Sequence, residues 1–467
     1  MMHHPSPITR HSSLSLIDTH CHLDMQQFGE DLDAVIRRAQ AAGVEALVTV
    51  SSDLPSNERN IRLCEKYDPV YATVGVHPHD AKDVTGETLA RLSDWSRRAK
   101  VVAIGETGLD YHYDHSPREV QREVFIRHLV LAKETGLPVV IHSREAKADT
   151  LDILRRSGVS KGVLHCFSGD RDMAQQALSL GLMVSFAGPV TFPKADELRE
   201  AAAIVPDDAI LVETDAPYLA PVPFRGKRNE PAFILQTVEQ IAKVRGVSAA
   251  DIARITTLNA RRLFGIGTMP ERGEIAYPIR DSLYLNITNR CSNRCSFCVK
   301  FHSDYVKGHR LRLSEEPDEE QIRAAIGDPR RFKEIVFCGY GEPLHRIETV
   351  TNISRWVKQQ GGRVRINTNG HANLIHRRNV VPELKGLVDS VSVSLDAHDA
   401  RTYDAICKPV YPDAFEEVIR FVREAKAVIP DVQVTVVNLP AVDLDACRRI
   451  AEELGVRLRV RELDVVG

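Results

Sequence analysis

Four histidines and two carboxylates recur at the ends of short apolar runs in the first half of the chain. His20 and His22 end the run that starts at Leu16, Glu106 ends VVAIGE (101–106), His142 ends LPVVIHS (137–143), His165 ends GVLHCF (162–167) and Asp215 ends ILVETD (210–215). One buried histidine at a strand end is more often structural than a ligand, but six such groups at five strand ends reverse those odds. Imidazole and carboxylate together suit divalent Zn, Mn, Mg, Co or Ni. Six ligands exceed what one catalytic ion with bound water needs, and fit two ions about 3.5–4 Å apart. The chemistry is metal-assisted hydrolysis, most naturally of a phosphate ester. Further on, Cys291, Cys295 and Cys298 fall within TNRCSNRCSFCV (288–299) with no fourth cysteine nearby. A closed zinc site takes four ligands. Three thiolates instead hold three irons of a [4Fe–4S] cube and leave one iron open for a non-protein ligand. Zinc completed by Cys338 or His302 is the competing reading.

Elements must bring these residues together. Eight β-branched runs at 16–20, 44–51, 70–77, 101–106, 137–143, 162–167, 182–188 and 210–215 alternate with helical stretches, the pattern of parallel βα units. They predict a complete (β/α)8 TIM barrel over 16–266, whose chemistry belongs at the carboxyl ends of its strands. Gly136 followed by Pro138 marks a helix stop. The segment GTMPERGEIAYPIR carries two glycines and two prolines without periodicity, so 267–281 is expected to be a linker. Alternation then restarts with six runs at 282–288, 334–339, 363–368, 388–396, 432–438 and 457–463. Six are too few to close, so 282–467 is expected to be a partial (β/α)6 barrel. Residues 1–15 are expected to be a short tail, and EEPDEE (315–320), after Ser314, a capped and solvated helix start.

At 467 residues the chain is long enough for two or three domains, and 43% hydrophobic with 27% charged residues is the balance of a soluble globular protein. No apolar run is long enough to span a membrane, and nine cysteines, three of them clustered, fit reduced metal-binding thiols and a cytoplasmic location. A net charge of −3 argues against a broad basic groove holding nucleic acid through many phosphates.

DTHCHLD, GETGLDY, IHSR, HCFSG and ETDAPYLAP, in this order, make Leu16 to Gly265 resemble the TatD-type metal-dependent deoxyribonucleases of the amidohydrolase-like superfamily. The resemblance implies that His20 and His22 bind one ion and His142 and His165 the other. Glu106 would bridge them, and Asp215 would bind the first ion and act as general base. GVHPHD and RGKRNEP also match, which makes His77, Arg225 and Arg228 candidate contacts to a substrate phosphate, with surface salt bridges the alternative for the arginines. Tyr111, His112, Tyr113 and His115 read as a polar loop, Cys21 and Cys166 as core packing.

The cysteine spacing, with Phe297 before the last cysteine, resembles the radical SAM superfamily, in which the open iron is chelated by S-adenosylmethionine and reductive cleavage yields a 5′-deoxyadenosyl radical. GYGEP (339–343) stands where that superfamily has its Gly-Gly-Glu motif, so Gly341 and Glu342 are expected to take the methionine ammonium, with Tyr340 where glycine is usual. Ser394 and Asp396 are expected to contact the ribose or carboxylate, and VTVVN (434–438) to offer backbone to adenine. The chemistry implies an electron donor such as flavodoxin or ferredoxin. The expected whole is a bifunctional enzyme acting on DNA or a nucleotide-derived substrate. Two alternatives stay open: a nuclease with a redox or structural iron–sulfur module, and a hydrolase of small phosphate esters or amides coupled to radical chemistry.

Overall fold

The structure, a computed structural model, describes residues 14–463, so most of the expected tail lies outside the described residues. These residues form two compact units, divided between Met269 and Pro270.

In the first unit eight parallel strands run in sequential order: β1 Leu16–Cys21, β2 Val44–Thr49, β3 Val70–Val74, β4 Val101–Asp110, β5 Val139–Arg144, β6 Gly162–Leu164, β7 Met183–Phe186 and β8 Ile210–Val212. Helices cover the outside, and their apolar faces make the larger core with Phe125, Leu129, Leu154 and Ile241. Ile17, Val48, Val102, Val140, Val163 and Leu211, from six different strands, pack in a separate cluster that only the barrel interior can assemble. Because side chains alternate along a strand, Val140 and His142 share one face of β5. The ligands therefore rise from an apolar floor. The helix Arg118–Thr135 ends where Gly136 takes φ 70°, as the sequence predicts.

β8 has only three residues, so backbone pairing alone leaves the β1–β8 seam thin. It is closed by a parallel bridge between Cys21 and Ala216, by His22 N donating to Ala216 O (2.7 Å), and by Asp215 N donating to His20 O (2.9 Å). The buried Asp18 carboxylate adds two acceptors, for Thr214 N (2.9 Å) and Thr214 Oγ1 (2.6 Å).

One strand differs from its reading. Glu106 does not end β4, which continues to Asp110 after a register shift between Ile104 and Thr107. Gly105 and Gly108 take φ 146° and 141° there, and Cβ atoms on them would meet Val140 O at 2.7 Å and His142 O at 2.0 Å. Only glycine lets β4 lie this close to β5.

The second unit holds β9 Ala276–Ile279, β10 Ser282–Leu285, a hairpin of β11 Tyr305–Val306 and β12 His309–Arg310, then β13 Ile335–Phe337, β14 Val364–Thr368, β15 Ser390–Ser394, β16 Asp431–Asn438 and β17 Arg457–Glu462. The main sheet has the order β17-β16-β15-β14-β13-β10-β9. Six strands are parallel as expected, but β9, from within the expected linker, adds a seventh, antiparallel to β10. Val364, Ile366, Val391, Val393, Val434 and Val436 face the helix-covered core. The alternating residues face the other side, where Gln433 Nε2 donates to Ser392 Oγ (2.7 Å). The acidic run caps the helix Glu319–Ile326 through Asp318, four residues beyond Ser314.

Candidate metal centre and cysteine loop

In the first unit the predicted ligands converge at the carboxyl end of the barrel. Three groups have ligand atoms within 4.8 Å of one another: His20 with His22 and Asp215, His20 with Glu106 and His165, and His77 with Glu106 and His142. Glu106 stands between them. Its Oε1 lies 2.6 Å from His165 Nε2, 2.9 Å from His142 Nδ1 and 3.5 Å from His77 Nε2, while its Oε2 lies 3.4 Å from His20 Nε2 and 3.9 Å from His22 Nε2. Asp215 Oδ1 is 3.4 Å from His22 Nε2 and 3.7 Å from His20 Nε2. His77, expected at the phosphate, thus joins the ligand cluster.

The residues fit a pair of cations. His20 Nε2 and His22 Nε2 face each other at 3.2 Å, a spacing that two lone pairs tolerate when they share a proton or a metal. One carboxylate presents different oxygens to two sets of imidazoles, the arrangement of a bridging ligand. Electrostatics agree. Burial works against its charge, yet His165, His77 and His142 hold the Glu106 carboxylate well below the usual range. Burial also opposes protonation of His165, but Glu106 and Glu213 hold that imidazole well above the ordinary histidine value. Burial and the neighbouring His165 push His20 down. Positive charge is drawn to this pocket, and its anions stay ionised.

Two supporting residues escaped the sequence reading. Asp110 Oδ2 lies 3.0 Å from His142 Nε2 and 3.2 Å from His79 Nε2, so it fixes the ring whose Nδ1 faces Glu106. Its signal was period two, since Glu106, Gly108 and Asp110 share a strand face. Glu213 Oε1 lies 3.4 Å from His165 Nδ1. Arg228 is not at the centre. It clasps Asp31 through Nη1–Oδ1 (2.7 Å) and Nη2–Oδ2 (2.8 Å) and donates to Gln27 O (2.7 Å), as a salt-bridge reading requires. Arg225 lies over the Phe192 ring at 4.1 Å, beside a cavity of about 780 Å³ that Ser168 and Lys194 also line.

In the second unit Cys291, Cys295 and Cys298 are half-buried free cysteines on the loop after β10. The loop is docked on the end of the helix Ala400–Cys407, where Arg294 N donates to Cys407 O (2.9 Å) and Ser296 N to Ile406 O (2.8 Å). Asn293 N lies 3.4 Å and Asn369 Nδ2 3.8 Å from Cys291 Sγ, donors of the kind that support cluster sulfurs. Burial pushes the Cys291 thiol up to about 12, so its thiolate needs a cation beside it, which cluster irons supply. The donor set fits the cluster.

GYGEP packs against this loop. A Cβ on Gly341 would stand 2.3 Å from Arg290 O, and one on Gly339 2.4 Å from Asn286 Oδ1. Tyr340 turns the other way, into a small cluster with Tyr277 and Leu311, and its hydroxyl donates to Ser303 O (2.5 Å). That explains how tyrosine replaces glycine there. Glu342 is buried and already accepts from Leu344 N (3.0 Å), Thr368 Oγ1 (2.9 Å) and Asn369 N (2.7 Å), tying the motif to the end of β14. Ser394 ends β15. Asp396 follows at φ 51°, buried, with Oδ1 lacking any hydrogen-bond partner.

A barrel whose strand ends gather seven side chains of metal-ligating type, followed by a mainly parallel sheet with a three-cysteine loop, defines a metal-dependent hydrolase joined to a radical-enzyme domain. The chain belongs to the TatD related DNase family, whose profile matches residues 17–265, and the radical SAM superfamily profile matches residues 285–454. It is 47% identical over 253 residues to the uncharacterized metal-dependent hydrolase YabD of Bacillus subtilis, covering 54% of this chain and 99% of the relative. It is 38% identical over 259 residues to a 3′-5′ ssDNA/RNA exonuclease TatD of Erwinia tasmaniensis, covering 54% and 100%. The crystal structure of YjjV, a TatD homologue of Escherichia coli K12, matches with a TM-score of 0.52 at 34% identity over 54% of this chain and 98% of that one. No helix among the described residues is long and apolar enough to cross a membrane.

Proposed function

We propose that the chain is a bifunctional enzyme. Its first unit hydrolyses phosphodiester bonds in DNA or a nucleotide-derived substrate with two divalent ions. Its second produces a 5′-deoxyadenosyl radical from S-adenosylmethionine with a [4Fe–4S] cluster and an external electron donor such as flavodoxin or ferredoxin. The observation that carries the hydrolase half is Glu106, one carboxylate whose two oxygens face separate imidazole sets. The substrate class is supported by likeness to the ssDNA/RNA exonuclease.

His20, His22 and Asp215 would hold one ion, His142 and His165 the other, with Glu106 between. Bound there, divalent ions supply hydroxide at neutral pH and neutralise charge on phosphoryl oxygens. The chain's own residues order the reaction. Asp215 is the most exposed of the two carboxylates, its side chain 12% accessible against 3% for Glu106, so its oxygen is the one a water can reach and hand a proton to. Asp110 and Glu213 hold the rings of His142 and His165 in place. In the second unit Cys291, Cys295 and Cys298 would hold the cluster, while Gly341 leaves its backbone free to approach the cofactor. Glu342 acts mainly by fixing that backbone, and Asp396 offers an oxygen that accepts no hydrogen bond.

The test uses the full chain. Anaerobic reconstitution with iron and sulfide, then S-adenosylmethionine and a strong reductant, is expected to give 5′-deoxyadenosine, and Cys298→Ala to abolish it. Cofactor binding without cleavage would favour the structural iron–sulfur reading. With Mn added, single-stranded oligonucleotides are expected to be degraded and Glu106→Gln to be inactive. The near-neutral charge favours a second reading, a small-ester hydrolase, which predicts turnover of simple phosphate esters with no gain from oligonucleotide length.

A further inference from the structure

We propose that the substrate of the radical unit carries a phosphate group, held by Arg459 and Arg461 on β17. This rests on reading the second unit as a radical enzyme.

Register places the two guanidiniums. β16 pairs with β17 so that Val434 lies beside Leu458 and Val436 beside Val460. Val434 and Val436 lie in the helix-covered core, so Leu458 and Val460 share that side, and Arg459 and Arg461 take the opposite, polar face with Gln433 and Ser392. Along the sheet, Ser394 pairs with Thr435 and Thr435 with Arg459. Arg461, two residues further toward the carboxyl end, pairs with Val437. Its Nη2 forms a loose ion pair with Asp396 Oδ1 at 3.8 Å, longer than a hydrogen bond. The two arginines thus occupy the last rows of the sheet, at the level of the residues expected to meet the cofactor.

Neither guanidinium is committed to a hydrogen bond, and Arg461 has only the ion pair with Asp396. Arg457, one step back on the same face, closes on Asp431 (2.9 Å), and Arg365 closes on Glu334 (3.0 Å) and Tyr284 (3.2 Å). Arg459 and Arg461 donate no side-chain hydrogen bond to any described residue. Two guanidinium forks, about 6.7 Å apart at their Cα atoms on a strand, can close on one tetrahedral dianion and satisfy several of its oxygens. Charges placed only to keep an edge strand from pairing would serve on either face; both of these lie on the polar one. Hydrolysis of a phosphodiester leaves a terminal phosphate monoester, so phosphodiester hydrolysis is the class of reaction that would supply such a substrate.

The experiment uses the full chain with reconstituted cluster, after chelation of divalent ions, titrated calorimetrically with thymidine 5′-monophosphate and with thymidine. The nucleotide is expected to bind more tightly than the nucleoside. Arg459→Gln with Arg461→Gln is expected to remove at least tenfold of that affinity, leaving S-adenosylmethionine affinity, reductive cleavage and monodispersity unchanged. The proposal is overturned if nucleotide binding survives in the double variant, or if S-adenosylmethionine binding falls in step, which would assign the arginines to the cofactor carboxylate. A thymidine 5′-carboxylate that binds equally well would overturn the phosphate assignment. If wild type makes no 5′-deoxyadenosine while arginine-dependent phosphate affinity persists, the radical reading fails and the anion site stands.

Discussion

The backbone contacts between β1 and β8 are reinforced by one buried carboxyl group, Asp18, and removing it should be measurable. Asp18 is fully buried and accepts from Thr214 N, Thr214 Oγ1 and, at 3.3 Å, His20 N. Asp18→Ala leaves the two Thr214 donors buried and unpaired. Each such loss costs about 1–3 kcal/mol, so a total of about 3–4 kcal/mol is expected, a large part of the roughly 5–15 kcal/mol that stabilises an ordinary domain. Asp18→Asn keeps an oxygen for Thr214 N and turns its amide toward Thr214 Oγ1, at a cost of about 1 kcal/mol. The chain has two tryptophans, Trp95 in the first unit and Trp356 in the second. In a Trp356→Phe background, fluorescence during guanidinium unfolding therefore follows the barrel alone. The alanine variant should unfold at clearly lower denaturant and bind divalent metal more weakly, because His20 and Asp215 exchange backbone contacts across this seam. A wild-type midpoint for Asp18→Ala would refute the reasoning. Burial pushes the Asp18 carboxyl up to about 8, so an asparagine variant as weak as the alanine one would show that the amide cannot reproduce the hydrogen bonds that hold the seam.

Glu106→Gln should lower bound metal from two ions to at most one per chain, read by elemental analysis after dialysis, because the amide loses an anionic oxygen facing one imidazole set. His128 is buried, with Nε2 accepting from Val76 N (3.2 Å) and Nδ1 facing Val124 O (2.8 Å), and burial pushes it down to about 4. Its neutral form therefore contributes stability above pH 6.5 that is lost as pH falls toward 4, by up to about 1.4 kcal/mol per pH unit. Unfolding midpoints across that window should show the slope in wild type and not in His128→Gln. Gly341→Ala would drive a methyl into Arg290 O, so iron content after reconstitution should fall while Cys291, Cys295 and Cys298 remain titratable. Tyr340→Gly, which restores the usual residue, should destabilise the second unit by about 3 kcal/mol, whereas Tyr340→Phe, losing only the hydroxyl bond, should cost about 1 kcal/mol; Trp356 fluorescence in a Trp95→Phe background reads both.

Much of the site was legible because its chemistry is local. Each hydrolase ligand follows a β-branched run, and parallel strands bring such residues together whatever their separation along the chain. What was missed depends on tertiary packing. The fourth strand is expected to end at Glu106, yet Gly105 and Gly108 let β4 pass close to β5 and continue to Asp110. Pro278 argues against a strand in the linker, but β9 is an edge strand, where a missing amide donor is tolerated. Glu342 is expected to meet the cofactor, and only the approach of β14 shows that its carboxylate also accepts from Thr368 and Asn369. Arg228 matched a motif, but the position of Asp31, nearly 200 residues earlier, decides its partner.

The antiparallel strand β9 has a practical consequence for anyone dividing this chain. A fragment begun at Ser282, where the parallel strands start, would strip β9 from β10 and bare a row of amides and carbonyls along Leu283–Leu285. An uncovered edge of this kind recruits a strand from another copy, so such a fragment should aggregate even though every cysteine of its loop is present. One begun at Pro270 keeps the edge sealed, and its solubility would measure what four residues of protective pairing are worth.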